Sequence, residues 1–548
     1  MTDSTAKSDW WRSAVIYQIY PRSFADSNGD GLGDLPGISA RLPQLSELLI
    51  DAVWLSPFYT SPQRDAGYDV ADYCDVDPVF GTLDDFDHLV AEAKRLDLRV
   101  IIDLVPNHTS SDHVWFRDAV AAGPGSPERA HYLFRDGRGV DGTEPPNNWQ
   151  SVFGGPAWTR LTGPDGVPEQ WYLHLFDVSQ PDLDWTNPWV HEQFHDILRF
   201  WLRRGVDGFR VDVAHGLVKE AGLPDYSPPA DDDSASMTAP GDVPYWAQPG
   251  VHKIYREWHR VLAEFGPDRI LCAEAWVEPL SKLADWVRPD EMQQAFNFRF
   301  LEAPWSAPAI RNAIRDSIEA FDTVGAAPTW VLSNHDVVRH ASRLGMNPPP
   351  PQGVGIGRET EPKPDAALGL RRARAETLLM LALPGGAYLY QGEELGLPED
   401  TELVDSARQD PAFYRTHGAV YGRDGCRIPI PWEADAPAFG FSPTGKTWLP
   451  QPAEWARFAR DRQEHEPHGT LRMYRDAIAL RRDLKLGSGE VEWLTGYADD
   501  VVALRNGAVT MISNLGETRV ALPAGTIVQS SEPLNGRELP PNVTVWLA

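Results

Sequence analysis

The sequence predicts an α/β protein: a closed (β/α)8 barrel of the TIM type, with a subdomain inserted after the third strand and an antiparallel β domain at the C-terminus. Short apolar segments alternate eight times with helical sequence, which is the order of elements in a parallel barrel. A stretch rich in Gly, Pro and Trp interrupts this alternation once. After the last long helix, apolar and polar residues alternate between turn residues, as in antiparallel strands.

The first three strand–helix units lie at the N-terminal end of the chain. Apolar segments predict strands at 14–20, 52–58 and 99–108, and helical spacing predicts helices at 38–50 and 83–98. The third strand, RVIIDLVPNH, is almost continuously apolar, as is typical of a parallel strand covered on both faces. The segment 109–176 then loses this rhythm, so we expect an inserted subdomain there rather than a crossover helix.

The strand–helix alternation resumes after the insert and continues to an eighth unit. Strands are predicted at 208–216, 270–277, 295–300, 329–336 and 386–394, and helices at 190–205, 370–383 and 468–483. The predicted domains are 1–108 and 177–485 for the barrel, 109–176 for the inserted subdomain and 486–548 for the C-terminal β domain. A doubly wound open sheet is the structural alternative, but no Gly-rich phosphate loop occurs in the sequence context that such folds use.

Composition and charge exclude several classes of partner. The 548 residues include 79 acidic and 50 basic side chains, and the formal net charge of −29 repels nucleic acid and anionic lipid. No apolar run approaches the roughly 18–20 residues that span a bilayer, and the polar N-terminus lacks the apolar segment of a secretory signal. Three widely spaced cysteines form neither a disulfide framework nor a zinc pattern. We therefore expect a cytoplasmic protein with small-molecule partners, as a monomer or a homodimer.

Charged side chains cluster at the C-terminal ends of the predicted strands, where barrel enzymes carry their active sites. A helix cap or a loop salt bridge would explain any one of them, but the same feature at the ends of four strands (three, four, five and seven) is harder to explain by capping. We expect the carboxylates of Asp212, Glu274 and Asp336 to meet at one mouth. The full set is Asp69 after strand two, Asp103, Asn107 and His108 at strand three, Arg210 and Asp212 at strand four, Glu274 at strand five, and His335 and Asp336 at strand seven.

Two of these carboxylates differ in their sequence surroundings. Arg210 lies two residues before Asp212 and therefore on the same strand face, where its guanidinium would keep Asp212 ionised, as a nucleophile requires. Glu274 has no such neighbour in sequence, so it is the better candidate for a carboxyl group of raised pKa that acts as a general acid. A catalytic metal or a Ser-His-Asp triad is disfavoured, because these residues show neither metal-ligand spacing nor a G-x-S-x-G motif. No cofactor is expected for the chemistry.

Four ordered motifs give the sequence a family resemblance. DLVPNH (103–108), GFRVDVAH (208–215), AEAW (273–276) and SNHD (333–336) resemble the motifs of α-glucosidases of glycoside hydrolase family thirteen, the α-amylase family. The resemblance covers nearly the whole chain, from Trp10 to the final β domain. It implies that Asp212 is the nucleophile, Glu274 the acid and then the base, and Asp336 the stabiliser of the transition state. Supporting motifs are VWLSPF (53–58), QPDLDW (180–185), YLYQGEELG (388–396) and GRDGCRIPIPW (422–432).

The resemblance also implies contacts around the bound sugar. Arg210 would orient the nucleophile, and His108 and His335 would bond hydroxyl groups of the glucose. Phe176 and Phe153, in the insert, resemble aromatic residues that stack on sugars. Packing in the core of the inserted subdomain explains either ring at least as well, and Phe176 is the stronger candidate of the two for stacking.

The same resemblance implies an ion pair that closes the pocket. Asp69, in AGYDVADY, and an arginine of GRDGCR resemble the pair that closes the non-reducing end. We expect the arginine to be Arg427 in preference to Arg423. A pocket closed in this way admits a chain end and releases single glucose units, whereas an open cleft suits an amylase.

One loop has the spacing of a cation site. DSNGDGLGD (26–34) places oxygen atoms at alternate positions: Asp26, Asn28, Asp30, the Leu32 carbonyl and Asp34. Gly37 stands where an EF-hand has its bidentate Glu, so no EF-hand is expected. The family resemblance implies a structural Ca²⁺ (or Mg²⁺) here, away from the chemistry; a Gly- and Asn-rich loop without an ion is the alternative.

The leading interpretation is a retaining, exo-acting α-glucosidase on short α-glucosides such as maltose. A transglucosylase, or a sucrose-converting or oligo-1,6-glucosidase relative with the same triad, is the nearest alternative. Val213 is found in relatives that favour α-1,6 bonds and Ala214 in some that favour α-1,4 bonds, and we expect α-1,4. Non-catalytic transporter subunits of the family have lost triad residues, which this chain keeps. The loops 222–246 and 345–364 are expected to rim the leaving-group site.

Overall fold

The computed structural model describes residues 9–163, 166–227 and 243–548. Its central strands are β1 Val15–Ile19, β2 Ala52–Leu55, β3 Arg99–Leu104, β4 Gly208–Val211, β5 Ile270–Ala273, β6 Gln294–Ala295, β7 Thr329–Val331 and β8 Gly386–Tyr390. They form one parallel sheet in the order β6-β5-β4-β3-β2-β1-β8-β7. A parallel bridge between Phe296 and Thr329 joins the two edge strands, so the sheet closes into the predicted barrel.

One helix packs outside the barrel after each strand. The eight are α1 Leu35–Ser46, α2 Leu83–Arg95, α3 Pro188–Arg203, α4 Val251–Ala263, α5 Leu280–Ala284, α6 Ala307–Asp322, α7 Ala366–Leu381 and α8 Thr470–Asp483. Some of these helices begin at a side-chain cap: Thr82 and Asp85 form a capping box at α2, and Asp365 caps α7. Helix α3 buries a stripe with helical spacing from Phe194 to Trp201. Shorter helices are Phe298–Leu301, His340–Arg343, Pro411–Arg415 and Arg460–Gln463.

The sixth strand is shorter than the sequence predicts. Its aromatic run predicts a strand over 295–300, but the strand ends at Ala295 and a short helix begins at Phe298. The side chain of Asn297 accepts a hydrogen bond from the N–H of Phe300 and caps this helix. The prediction is therefore wrong beyond Phe296, because capping by Asn297 competes with continuation of the strand.

Strand register decides which side chains meet inside the barrel. Asp103 of β3 and Arg210 of β4 are paired neighbours in the sheet. Phe209 and Val211 belong to the apolar core that the strands share with the surrounding helices. Because side chains alternate along a strand, Arg210 and Asp212 point to the opposite side, into the barrel. The register alone therefore places Arg210 beside Asp103, with Asp212 one step nearer the mouth.

The described residues of the segment predicted as an insert, 109–163 and 166–176, contain a helix and strands of their own, and we call them the lobe. The lobe contains helix Val114–Ala122 and a three-stranded antiparallel sheet of Phe134–Arg135, Pro168–Leu173 and Trp158–Thr162. Its buried apolar cluster includes Trp149 and Phe176 and extends to Val213 and Trp246, in the loop after β4. The lobe is therefore packed against the chain segment that follows Asp212. Residues 228–242 of that loop, part of the predicted rim, lie outside the described residues.

An antiparallel β domain follows the barrel, as predicted. Its main sheet has the order β9-β10-β11-β13-β12, with β9 Val491–Trp493, β10 Val501–Asn506, β11 Val509–Asn514, β12 Ile527–Ser530 and β13 Val543–Leu547. A second, two-stranded sheet pairs Val520–Ala521 with Glu538–Leu539. The domain packs on α7, where Trp546 Nε1 donates to the carbonyl oxygen of Leu378 at 3.0 Å. In the described part of the chain, no helix is both long enough and apolar enough to cross a membrane.

Candidate active site

Arg210 lies at the centre of three buried carboxyl groups. Its Nη1 is 2.8 Å from Asp103 Oδ1 and 2.7 Å from Asp212 Oδ1, and its Nη2 is 2.7 Å from Glu274 Oε2. All four residues are buried. The contact with Glu274 joins neighbouring strand ends, and sequence reasoning could not find it because the two residues are far apart in the chain. The fork of the guanidinium thus holds Asp212 and Glu274 on neighbouring nitrogen atoms.

The backbone after Asp212 turns sharply. Val213 has a φ of +45°, a left-handed conformation that is costly for a β-branched residue. Its N–H donates to Glu274 Oε2 at 3.1 Å, and the N–H of Ala214 donates to the carbonyl oxygen of Glu274 at 2.8 Å. This strained turn therefore ties the segment after Asp212 to Glu274 and keeps the two carboxyl groups side by side.

One positive charge serves three carboxyl groups in this cluster. Burial raises the pKa of Asp103 to about 7, against the opposing effect of Arg210. Burial also raises the pKa of Asp212 above its ordinary value; Arg210 lowers it, and Glu274 and Asp103 raise it further. Because one guanidinium does not neutralise three buried carboxylates, the cluster retains a proton near neutral pH. The raised pKa values are those of Asp103 and Asp212, so the assignment of the acid proton to Glu274 stays a prediction.

Asp336 lies in a different charge environment. Its Oδ1 is 2.8 Å from Arg427 Nη2 and 3.1 Å from Arg423 Nη1, and its Oδ2 is 3.1 Å from His335 Nε2. Burial opposes ionisation, but the neighbouring basic groups hold the pKa of Asp336 well below its usual value. Burial lowers the pKa of His335 far enough to keep its imidazole neutral, so the two arginines supply the charge. Asp336 is therefore ionised near neutral pH.

Both predicted histidines are buried and border the same tyrosine. His335 Nε2 is 2.6 Å from the hydroxyl of Tyr68, and His108 Nε2 is 3.2 Å from the carbonyl oxygen of Tyr68. The Tyr68 hydroxyl also donates to Asp103 Oδ2 at 3.0 Å. Burial lowers the pKa of His108 to about 4, so this imidazole is neutral at pH 7. The structure therefore brings both histidines to the wall of the site as neutral groups.

The carboxylate of Asp69 is used by a turn. It accepts hydrogen bonds from the Ser61 hydroxyl at 3.0 Å and from the N–H groups of Arg64 and Asp65 at 2.9 and 3.0 Å. The ion pair between Asp69 and Arg427 that the sequence led us to expect is not formed. The carboxylate oxygens of Asp69 instead accept hydrogen bonds from three donors of their own loop. The predicted partner of Asp69 is therefore corrected.

Arg423, and not Arg427, forms the ion pair with this loop. Its Nη2 is 2.9 Å from Asp65 Oδ1, its Nε is 2.7 Å from Asp410 Oδ2, and its Nη1 reaches Asp336. Arg427 turns its guanidinium to Asp336 instead. Burial raises the pKa of Asp65 to about 6, against the opposing effect of Arg423. The pair at this end of the site is thus Asp65 with Arg423.

Sequence reasoning missed three side chains of this wall: Asp65, Tyr68 and Asp410. Asp65 and Tyr68 lie in the same short segment as Asp69. The segment has two aspartates four residues apart, so the sequence offered Asp65 as well as Asp69 as the carboxylate at the mouth. Asp410 follows no predicted strand and belongs to no motif. Only its tertiary contact with Arg423 marks it.

The two aromatic rings predicted to stack on sugar border the site from the inserted lobe. Phe176 is buried, and its ring centroid is 5.1 Å from that of His108. Phe153 is partly exposed, and the guanidinium carbon of Arg423 lies 5.5 Å from its ring centroid. The two phenyl rings contact each other edge-on at 5.8 Å. Both rings therefore neighbour residues of the site, and sugar stacking stays a prediction.

The loop predicted to bind a cation turns its oxygen atoms toward its own backbone. Asp26 accepts from two N–H groups of the loop, and Asp34 accepts from the first turn of α1. Asn28 and Asp30 are exposed, and each accepts from the N–H two residues further on. Among residues 9–163, 166–227 and 243–548, no three His, Cys, Asp or Glu side chains lie close enough to hold an ion. Carboxylate, amide and carbonyl oxygens are nevertheless the ligand types that Ca²⁺ and Mg²⁺ prefer. A cation in this loop therefore stays a prediction.

Fold and site together define a class of protein: a barrel enzyme whose C-terminal face carries paired carboxyl groups and an ionised third carboxylate. The family model described as alpha amylase, catalytic domain, matches residues 18–487. The chain belongs to the α-amylase family and is a glycoside hydrolase.

Relatives of known name agree with this assignment. A probable alpha-glucosidase of Rhizobium meliloti (strain 1021) is 40% identical over 89% of this chain and 85% of the relative. An oligo-1,6-glucosidase of Parageobacillus thermoglucosidasius is 34% identical over 86% of this chain and 84% of the relative. The crystal structure of an alpha-glucosyl transfer enzyme superposes with a TM-score of 0.84 at 36% identity, covering 98% of this chain and 100% of that one.

Proposed function

We propose that this protein is a retaining, exo-acting α-glucosidase that releases glucose from the non-reducing end of short α-glucosides and prefers α-1,4 bonds. The observation that carries the proposal is the placement of Asp212 and Glu274 on neighbouring nitrogen atoms of Arg210. Retaining enzymes need the two carboxyl groups only about 5–5.5 Å apart, and a shared guanidinium fits that separation. The relative named a probable alpha-glucosidase supports the same activity.

The proposed reaction has two steps. In the first, an oxygen of Asp212 attacks the anomeric carbon, the glycosidic bond breaks, and the proton of Glu274 goes to the leaving oxygen. In the second, water attacks the same carbon, gives its proton to Glu274 and releases Asp212. Asp336, which Arg427 and Arg423 keep ionised, accepts hydrogen bonds from sugar hydroxyls as positive charge develops on the ring.

Ion pairs at one end of the site support the exo mode. Arg423 joins the loop that holds Asp65 to the segment that holds Asp410. Nearby, Arg415 Nη2 donates to the carbonyl oxygen of Gly154 in the inserted lobe at 2.9 Å, so the same segment is also tied to the lobe. A site bounded in this way accommodates one terminal glucose, on which Phe176 and Phe153 are proposed to stack. An open cleft would instead suit cleavage within a long chain.

The fate of the glucosyl ester separates the main proposal from its alternative. The structural neighbour named an alpha-glucosyl transfer enzyme favours a transglucosylase as the second candidate. Water or a sugar hydroxyl can take the glucosyl group from Asp212, and the residues around the leaving-group site decide between them. Val213, strained and adjacent to the nucleophile, is the residue that we propose sets the preference between α-1,4 and α-1,6 bonds.

Three disaccharides test the proposed function directly. The protein is incubated with maltose, isomaltose and sucrose, and the products are identified by chromatography. Glucose released from maltose faster than from isomaltose supports the proposal. Isomerised sucrose, or mainly longer oligosaccharides at low sugar concentration, would favour the transglucosylase. No turnover of any of the three would contradict both.

Asp65→Ala is expected to raise the KM for maltose by about 10- to 100-fold, because the charged partner of Arg423 is lost where the terminal sugar binds. Asp69→Ala is the matched variant four residues away. It removes the three hydrogen bonds of the turn, so we expect a lower melting temperature and a smaller change in KM. Initial rates and thermal unfolding measure the two effects. The reverse pattern would return the sugar-binding role to Asp69.

We also propose that the loop 26–34 binds Ca²⁺ or Mg²⁺ and stabilises the fold. Ion at about 100 times its Kd is expected to add about 2.7 kcal/mol to the free energy of unfolding, and a chelator should remove this gain. Asp26→Ala should abolish the ion-dependent shift, whereas Glu490→Ala, an exposed acid of the C-terminal part, should retain it. Unfolding with and without ion and chelator is the measurement. An equal shift in both variants would place the ion elsewhere.

The cysteines support a cytoplasmic location for the proposed enzyme. Cys74, Cys272 and Cys426 are free thiols, and the last two are buried. Unpaired thiols are typical of reducing compartments. Fractionation of the native cells tests the location, and recovery of the protein outside the cells would contradict it.

A further inference from the structure

The indole of Trp276 contacts the carboxyl group that is proposed to move the proton. Trp276 Nε1 donates to Glu274 Oε1 at 3.2 Å. The other oxygen, Oε2, accepts from Val213 N at 3.1 Å and lies 2.7 Å from Arg210 Nη2. Each oxygen of Glu274 therefore has its own donors, and the indole is the donor that faces Oε1.

A second aromatic ring holds the indole in place. The rings of Trp276 and Phe298 are parallel within 5°, with centroids 3.7 Å apart. Both residues are buried, and Phe298 begins the short helix that Asn297 caps. Stacking over this area fixes the plane of the indole, and with it the direction of its N–H.

Unequal occupation of the two oxygens decides where the acid proton resides. Oε2 already accepts from an amide and a guanidinium, which leaves little room for a proton there. Oε1 accepts from one donor, the indole N–H at 3.2 Å, so it has a lone pair left. The proton of the acid form of Glu274 therefore sits on Oε1. The indole N–H occupies one lone pair of this oxygen, which leaves the other lone pair for the proton.

We propose that Trp276 is a positioning residue that fixes Glu274 Oε1 as the oxygen that gives and takes the proton. This inference rests on the acid–base role of Glu274 in the proposed function. When the acid acts, its O–H bond breaks, the proton goes to the leaving oxygen as the glycosidic bond opens, and the electron pair stays on Oε1. The indole N–H stabilises the carboxylate so formed, and in the second step the proton of water returns to the same oxygen.

Trp276→Phe tests this role, because it keeps a six-membered ring to stack on Phe298 and removes the N–H together with the rest of the indole. Two substrates are compared: maltose, whose leaving sugar needs a proton, and p-nitrophenyl α-glucoside, whose leaving group departs without one. We expect kcat/KM to fall by about tenfold on maltose and to stay within about twofold on the nitrophenyl glucoside. The alkaline limb of the pH profile on maltose should move to higher pH. The indole N–H stabilises the carboxylate form of Glu274, so without it the proton is harder to remove.

Phe298→Leu is the companion variant, since it leaves the N–H in place and removes the stacked ring. It should show the same substrate dependence with a smaller fall on maltose. Equal losses on both substrates with an unmoved pH profile, in either variant, would make Trp276 a packing residue only and overturn the proposal; so would unchanged kinetics of Trp276→Phe. Wild-type protein that turns over neither substrate would instead refute the α-glucosidase function itself, so the two failures are distinguishable.

Discussion

Asp212→Asn is expected to lower kcat on maltose by at least about 10⁴-fold while the protein stays folded. The amide has the size of the carboxylate but cannot form the glucosyl ester, so the first step is lost. Burial and neighbouring carboxyl groups already raise the pKa of Asp212, so removing its charge relieves repulsion around Arg210. We therefore expect thermal stability at neutral pH to be unchanged or higher. Maltose turnover and thermal unfolding are the measurements.

Asp207→Asn is the matched control at the other end of β4. Asp207 Oδ2 accepts from the N–H of Val100 at 3.0 Å, and Oδ1 is 2.9 Å from Arg269, away from the barrel mouth. This variant should lose stability and keep its turnover. Mass spectrometry gives a positive test: Glu274→Gln, supplied with p-nitrophenyl α-glucoside, should accumulate one glucosyl unit on Asp212. Turnover by Asp212→Asn within about tenfold of wild type would refute its assignment as nucleophile.

Arg210→Met is expected to abolish turnover and to lower the free energy of unfolding near pH 7 by about 3–5 kcal/mol. The guanidinium contacts Asp103, Asp212 and Glu274, all buried, and the thioether leaves these carboxyl groups without a counter-charge. Chemical denaturation measures the loss. Arg210→Lys should rescue only part of it, because one ammonium group does not reproduce the planar fork that reaches three carboxyl groups.

The pH dependence of this variant distinguishes charge from packing. Without Arg210, the buried carboxyl groups have folded-state pKa values further above those of the unfolded chain; that of Asp103 is already about 7 in the intact cluster. Groups whose pKa is raised by folding lose stabilising free energy as pH rises through the folded value. Arg210→Met should therefore recover stability between about pH 7 and about pH 5. If the free energy of unfolding of Arg210→Met is below that of wild type by the same amount at both pH values, the loss comes from packing and not from charge.

Arg269→Met serves as the control for this second prediction. Arg269 pairs with Asp207 and Asp268, and 18% of its side-chain surface is accessible to solvent. Because Arg269 is more exposed than Arg210 and has one buried carboxylate partner, Asp207, where Arg210 has three, we expect a smaller loss than for Arg210→Met, with turnover retained. A loss as large as that of Arg210→Met would show that stability here does not depend on burial of the charge cluster.

The sequence by itself determined the barrel and the carboxyl groups at its mouth. Alternation with period two placed Arg210 and Asp212 on one face of β4, and parallel strands in a closed barrel bring their C-terminal ends together. These are local or topological properties, so they can be derived without coordinates. The same reasoning failed beyond Phe296, where a side-chain cap from Asn297 outweighed the alternating aromatic pattern.

Only the tertiary structure decided which charges are partners. Asp65 and Asp69 are alike in sequence, but the turn uses the carboxylate of Asp69 and leaves Asp65 to Arg423. The contact of Glu274 with Arg210 likewise depends on the register of two strands. Ion pairs form between groups that are close in space, and closeness in space is set by loops and register that no local pattern encodes. The sequence therefore predicted Asp212, Glu274 and Asp336 as carboxyl groups of this site but not Asp65 or Asp410, and the fold selected the partner of each.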